Sequence, residues 1–192
     1  MIKAGRKTQI LCIAGVFAAF IFIATGVLPI RIPLPGGGYA HIGDVFVFLA
    51  AACLPQPFAL GAAGIGAAAA DLFAGYFIYA PFTFVIKASL TLLFTATATR
   101  APGATRAPGA TRAPGRKFKM MNLRNCAALF GALVITVGGY YGAEVLIYGN
   151  FISPLANVAG NAVQVAVSGV LFVLAAAAFD KSGIRSRLPL TD

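Results

Sequence analysis

Charge is the scarcest resource in this chain. Of 192 residues only 10% are charged, five are acidic, and a single histidine, His41, is present. A soluble helical protein sets a charged face against each apolar one, and the long apolar runs here carry no such face. Cysteine is equally sparse. Cys12, Cys53 and Cys126 lie in or beside apolar runs with no CxxC spacing, so they act as small hydrophobes, and neither a disulfide nor a metal site is indicated. No Ser/His/Asp set, metal-ligand cluster or paired-carboxylate motif occurs, which leaves little support for catalysis.

Apolar side chains are abundant instead. Hydrophobic residues make up 59% of the chain, and the mean hydropathy is +0.87. Such a chain has lipid as its main solvent. Six apolar runs are expected to span a bilayer as helices: Thr8–Leu28, Ile42–Leu54, Phe58–Phe73, Pro81–Ala98, Cys126–Tyr148 and Leu155–Phe179. The first is too long for a signal-peptide core and is kept as a span. "LPQP" (Leu54 to Pro57) separates the second from the third, because proline ends or kinks a helix. "PIRIPLPGGGY" (Pro29 to Tyr39) forms a long, non-helical first loop.

Net charge is +10, yet the basic residues form no patch with interleaved aromatics, and nucleic acid is not an expected partner. Thirteen of the fifteen fall in three segments. Lys3, Arg6 and Lys7 precede the first span. Arg100, Arg106, Arg112, Arg116, Lys117, Lys119 and Arg124 lie between the fourth and fifth, and Lys181, Arg185 and Arg187 follow the sixth. The positive-inside rule places all three segments in the cytoplasm, which requires an even number of spans between them. The expected fold is therefore an all-α integral membrane protein of six transmembrane helices with both termini cytoplasmic, forming one domain over residues 1–192. Residues 98–119, including three identical copies of "ATRAPG" (Ala98 to Gly115), make a flexible basic cytoplasmic linker with no assigned chemistry.

Polar groups inside such spans are costly and usually face a partner or an aqueous cavity. Asp71, Lys87 and Glu144 all lie in the outer half of the bilayer by this topology, and Asp71 and Lys87 sit at similar depth on adjacent antiparallel helices, placed to pair or to line a pocket. On the sixth span Asn157, Asn161, Gln164 and Ser168 follow spacings of four, three and four, a narrow stripe on one helix face. Interhelical packing and a hydrogen-bonding wall for a ligand both account for such a stripe. Tyr140, Glu144 and Tyr148 repeat the pattern on the fifth span. Tyr39, Tyr76 and Tyr79 converge on the same outer end, as do His41 and Asp44, which are expected to cap the second span and face a pocket mouth.

"YAHIGDVFVFLAA" (Tyr39 to Ala51) and "GAAGIGAAAADLFAGYFIYAPFTFVIKA" (Gly61 to Ala88) resemble the substrate-binding S components of energy-coupling factor (ECF) vitamin transporters, in the riboflavin-type branch. That resemblance implies a six-helix bundle with an external pocket built from spans four to six and the outer loops. It implies capture of a small vitamin or precursor of the riboflavin, pyridoxine or thiamine-precursor class. It also implies docking of a transmembrane T component on the A-x-x-x-A pair Ala14 and Ala18, and two ABC-type ATPases as further partners. No GxxxxGK[ST] occurs, so the chain does not itself supply the ATPase. No cofactor is expected. The expected location is a bacterial or archaeal plasma membrane. A membrane enzyme or scaffold using Asp71 or Glu144 in an outer cavity is the alternative.

Overall fold

The computed structural model describes residues 4–28, 32–33, 39–97 and 123–182. Arg31, the ATRAPG repeat and the basic residues Lys3, Arg100, Arg106, Arg112, Arg116, Lys117, Lys119, Arg185 and Arg187 lie outside the described residues.

Among the described residues, six α-helices overlap the six apolar runs. They are α1 (Ala4–Phe22), α2 (Asp44–Cys53), α3 (Gln56–Phe73), α4 (Ala80–Thr97), α5 (Leu123–Tyr148) and α6 (Leu155–Ser182). α1 continues as a π-helical turn over Ile23–Val27. Ile32–Pro33 (β1) pairs antiparallel with Tyr39–Ala40 (β2), so part of the first loop is a short hairpin. The break at the two prolines is tight: α2 closes at Cys53, and α3 opens at Gln56 with Pro57 in its first turn, where a missing N–H costs nothing.

Among the described residues, three stretches are long and apolar enough to cross a membrane: Gly5–Val27, Leu123–Tyr148 and Leu155–Ser182. α2 and the Ala80–Phe94 part of α4 are shorter apolar helices; α2 packs inside the bundle, whereas α4 keeps an outward face with Phe84, Val85 and Leu92 exposed. α2 is buried along nearly its whole length. A short helix suffices where it is sheltered by others rather than facing lipid.

α2, α4 and α6 run in one direction and α1, α3 and α5 in the other. The end at which α2, α4 and α6 begin is called the site end below. Away from that end, Phe48, Phe94 and Phe172 meet with ring centroids 5.5–5.8 Å apart, one ring from each of α2, α4 and α6. All three are buried, and they seal the bundle interior with the offset and edge-on contacts that aromatic rings favour.

Small residues bring α1 and α3 together. A Cβ on Gly66 would lie 2.6 Å from the Ala18 carbonyl oxygen, so only glycine fits there. Ala14 is buried in the same contact region and belongs to the hydrophobic core, while Ala18 is half-buried. The small size of Ala14 and Ala18, the pair expected to dock a T component, thus also serves packing within the bundle, and the exposed face of α1 carries Leu11, Gly15, Val16 and Ala19.

Candidate ligand-binding site

The same three helices that supply the phenylalanine cluster supply a polar cluster nearer the site end. On α2, Asp44 precedes Phe48 by one turn, and on α4 and α6 Lys87 and Gln164 precede Phe94 and Phe172 by about two. Lys87 Nζ lies 2.6 Å from Asp44 Oδ1, with both side chains fully buried. Gln164 Nε2 donates to Asp44 Oδ2 at 2.9 Å. The Gln164 carbonyl in turn accepts the His41 backbone N–H at 3.3 Å. One amide on α6 thus holds both the carboxylate of α2 and the strand leading into it.

Lys87 therefore does not pair with Asp71. The correction is one of direction, since depth alone made the two look like partners. The ammonium points at α2, and it also lies 5.4 Å from the centre of the Tyr140 ring. Asp71 receives a hydrogen bond from the Tyr39 hydroxyl at 3.1 Å. Asp44 likewise does not face a pocket mouth; it is turned inward to Lys87.

His41 and Asp44 were expected to cap α2, and no side chain does so. Gly43 is the N-cap residue, and it carries no side-chain cap. A Cβ on Gly43 would collide with the Thr25 hydroxyl, so the π-turn of α1 and the start of α2 touch through a glycine. His41 acts one step earlier: its Nδ1 accepts the Gly43 N–H at 3.1 Å, which requires a neutral ring. Burial keeps it neutral, pushing its pKa from 6.5 down to about 4, with the nearby Lys87 adding to the effect and Asp44 opposing it.

Tyrosines crowd the site end. Tyr39 and Tyr76 have ring centroids 5.1 Å apart, Tyr76 and Tyr79 6.1 Å, and Tyr39 and His41 5.6 Å. The Tyr79 and Tyr148 hydroxyls hydrogen-bond at 2.5 Å, joining the approach to α4 with the end of α5. Burial, first, and the Tyr148 contact hold Tyr79 protonated by raising its pKa. Beside them Asn157 donates to Glu144 Oε1 at 2.8 Å, tying α6 to α5. The other carboxylate oxygen of Glu144 is buried with no hydrogen-bond partner among the described residues.

All four residues of the α6 stripe are buried, with Asn157 and Ser168 fully enclosed. The stripe divides by task. Gln164 is taken up by Asp44 and His41, and Asn157 by Glu144. Asn161 lies between them, 5% exposed.

Thr83 was missed by the sequence reading. Its hydroxyl lies 3.1 Å from that of Tyr140, linking α4 to α5 within the cluster. The signal was present: Tyr79, Thr83 and Lys87 follow spacings of four and four, the rule that exposed the stripe on α6.

Ionisable and amide side chains gathered and buried at one end of an apolar helical bundle are costly there and mark that end as the candidate functional site. The chain belongs to the ECF-type riboflavin transporter S component family, whose family model matches residues 6–181. No curated protein matches the sequence. S components are the substrate-binding subunits of ECF transporters and are not enzymes. The expected family is thereby established over nearly the whole chain, and the enzyme alternative falls away.

Proposed function

We propose that the chain captures a flat heteroaromatic vitamin bearing hydroxyl groups, of the riboflavin, pyridoxine or thiamine-precursor class, for ATP-driven uptake with a T component and two ABC-type ATPases. The setting is a bacterial or archaeal plasma membrane, with six spans, both termini cytoplasmic and the site end external. The observation that carries this reading is the Tyr39–Tyr76–Tyr79 ring cluster, with Glu144 close to Tyr79 and one Glu144 oxygen buried with no hydrogen-bond partner among the described residues. Rings offer stacking faces, and a buried acceptor without a donor is costly until a ligand O–H or N–H reaches it. Asp71, Tyr148, Asn157 and Asn161 complete the polar rim. Asp44, Lys87, His41 and Gln164 serve the same site from behind, by fixing the strand that carries Tyr39.

The family description favours riboflavin within this class. The experiment is a titration of purified protein in detergent with riboflavin, pyridoxine and thiamine precursors, read by flavin fluorescence quenching and by calorimetry. Saturable one-to-one binding of one of them is expected. Binding of none would overturn the ligand class.

A further inference from the structure

The site end holds more acid than base. Among the described residues it carries the carboxyls of Asp44, Asp71 and Glu144 and one ammonium, that of Lys87. The other described basic residues, Arg6, Lys7, Arg124 and Lys181, stand where α1 and α5 begin and where α6 ends, at the opposite end of the bundle. Lys87 is committed to Asp44 at 2.6 Å. His41 does not make up the deficit, because burial holds its ring neutral and its Nδ1 accepts a hydrogen bond. Asp71 and Glu144 are left with no ion-pair partner among the described residues.

These two acids differ in what they lack. Asp71 accepts the Tyr39 hydroxyl at 3.1 Å. Glu144 is only 2% exposed; one of its oxygens accepts the Asn157 amide at 2.8 Å, and the other is buried with no hydrogen-bond partner among the described residues. A braced turn keeps it so. Gly149 leaves α5 at a positive φ of 67°, and Asn150 Oδ1 accepts the Ile152 and Ser153 N–H groups at 3.1 and 2.8 Å. The Tyr141 hydroxyl donates to the Phe151 carbonyl at 3.0 Å. The turn fixes the start of α6, and with it Asn157, against Glu144. The unpaired oxygen thus belongs to a carboxyl held in place close to Tyr79, one helical turn before Tyr148.

A ligand hydroxyl would satisfy that oxygen but leave the carboxylate without a counter-charge. A protonated nitrogen supplies both a donor and the opposite charge, and burial makes the difference large. We propose that Glu144 is the counter-ion of the ligand: the captured heteroaromatic carries an amino group that binds as a cation against the unpaired Glu144 oxygen. The inference rests on the vitamin-capture reading and narrows it. Amine-bearing members of the class come ahead of riboflavin, which has no amino group.

The test uses calorimetry on the purified full chain with matched probes. Pyridoxamine and pyridoxine differ by an aminomethyl in place of a hydroxymethyl group on the same ring. A hydroxymethyl aminopyrimidine and its hydroxyl analogue make a second pair, with riboflavin as the amine-free control. The amine of at least one pair is expected to bind roughly ten- to hundredfold tighter than its hydroxyl counterpart, the range for a hydrogen bond to a charged group. E144Q keeps the size of the side chain and an acceptor for Asn157, and it should abolish that preference. Melting temperatures of both proteins report folding separately. The wild-type comparison needs no variant, so it decides the matter even where E144Q fails to fold. Hydroxyl probes or riboflavin binding at least as tightly as the amines overturns the inference and leaves the vitamin reading standing. A preference that survives in folded E144Q overturns the assignment to Glu144, and binding of none of the probes overturns both readings.

Discussion

Lys87 on α4 and Asp44 on α2 form an ion pair 2.6 Å long with neither side chain in contact with solvent. Desolvating two charges is expensive, and their attraction offsets it only when geometry and additional hydrogen bonds are favourable. Gln164 supplies one such bond, to the second oxygen of Asp44. Removing either partner leaves an uncompensated buried charge.

Asp44→Leu and Lys87→Met should accordingly each cost about 3–5 kcal/mol, while the double variant costs less than either alone. Unfolding free energies of the four proteins in one detergent, combined as a double-mutant cycle, measure the coupling. Additive losses would mean the two side chains act independently.

The position of Ala14 carries a second prediction. It is buried where α1 meets α3, so Ala14→Leu overpacks the bundle and should destabilise by about 1–3 kcal/mol. Ala19→Leu, on the exposed face of the same helix, should leave stability within about 0.5 kcal/mol. Thermal melts of the isolated subunit decide this without any partner present. Equal melting temperatures for Ala14→Leu and Ala19→Leu would return Ala14 to the protein surface.

The contrast between these residues shows what was legible in the sequence. Periodicity is local, so the stripe on α6 could be read from spacing alone, and all four of its members are buried. Depth is nearly local, since it follows from counting residues from a helix end, and it placed Asp71, Lys87 and Glu144 together. Azimuth is not local. Lys87 turns to α2 rather than α3 because α2, short and sheltered, lies against both α4 and α6, and no spacing along the chain encodes that adjacency. The same gap hid which face of α1 packs inward. The π-turn at Ile23–Val27 was invisible for another reason: it depends on Gly26 and Gly43 meeting Ala70 and Thr25 from distant segments.

His41 predicts a pH dependence. Its folded pKa, about 4, lies below the ordinary 6.5, so the unfolded chain binds more protons between those values. Its contribution is complete above about pH 6.5 and is lost as pH falls toward 4, amounting to about 3 kcal/mol over the full window. His41→Asn replaces the ring acceptor for the Gly43 N–H with an amide that does not titrate. Melting temperature should fall steeply on acidification in the wild type and less steeply in His41→Asn. Parallel curves would show that some other group sets the acid limit.

Asn161 and Gln164, three residues apart on one face of α6, should fail in opposite ways. Gln164 bonds Asp44 and the His41 backbone, so Gln164→Ala takes one hydrogen bond from Asp44 Oδ2 and one from the buried His41 N–H and should cost about 1–3 kcal/mol of stability. Any loss of vitamin affinity would follow indirectly, through loosening of the strand that carries Tyr39. Asn161 is buried, and along α6 it lies between Asn157, which bonds Glu144, and Gln164. If its amide meets the ligand, Asn161→Ala strands a ligand group instead of a protein group. The same 1–3 kcal/mol then appears as a roughly ten- to hundredfold rise in dissociation constant, with melting temperature little changed. Measuring melting and affinity on both proteins gives four numbers and a definite pattern: Gln164→Ala melts early, whereas Asn161→Ala binds weakly. Were Asn161→Ala to melt early and bind normally, the amide would belong to interhelical packing, and the ligand wall would have to be sought at Glu144 and Tyr148.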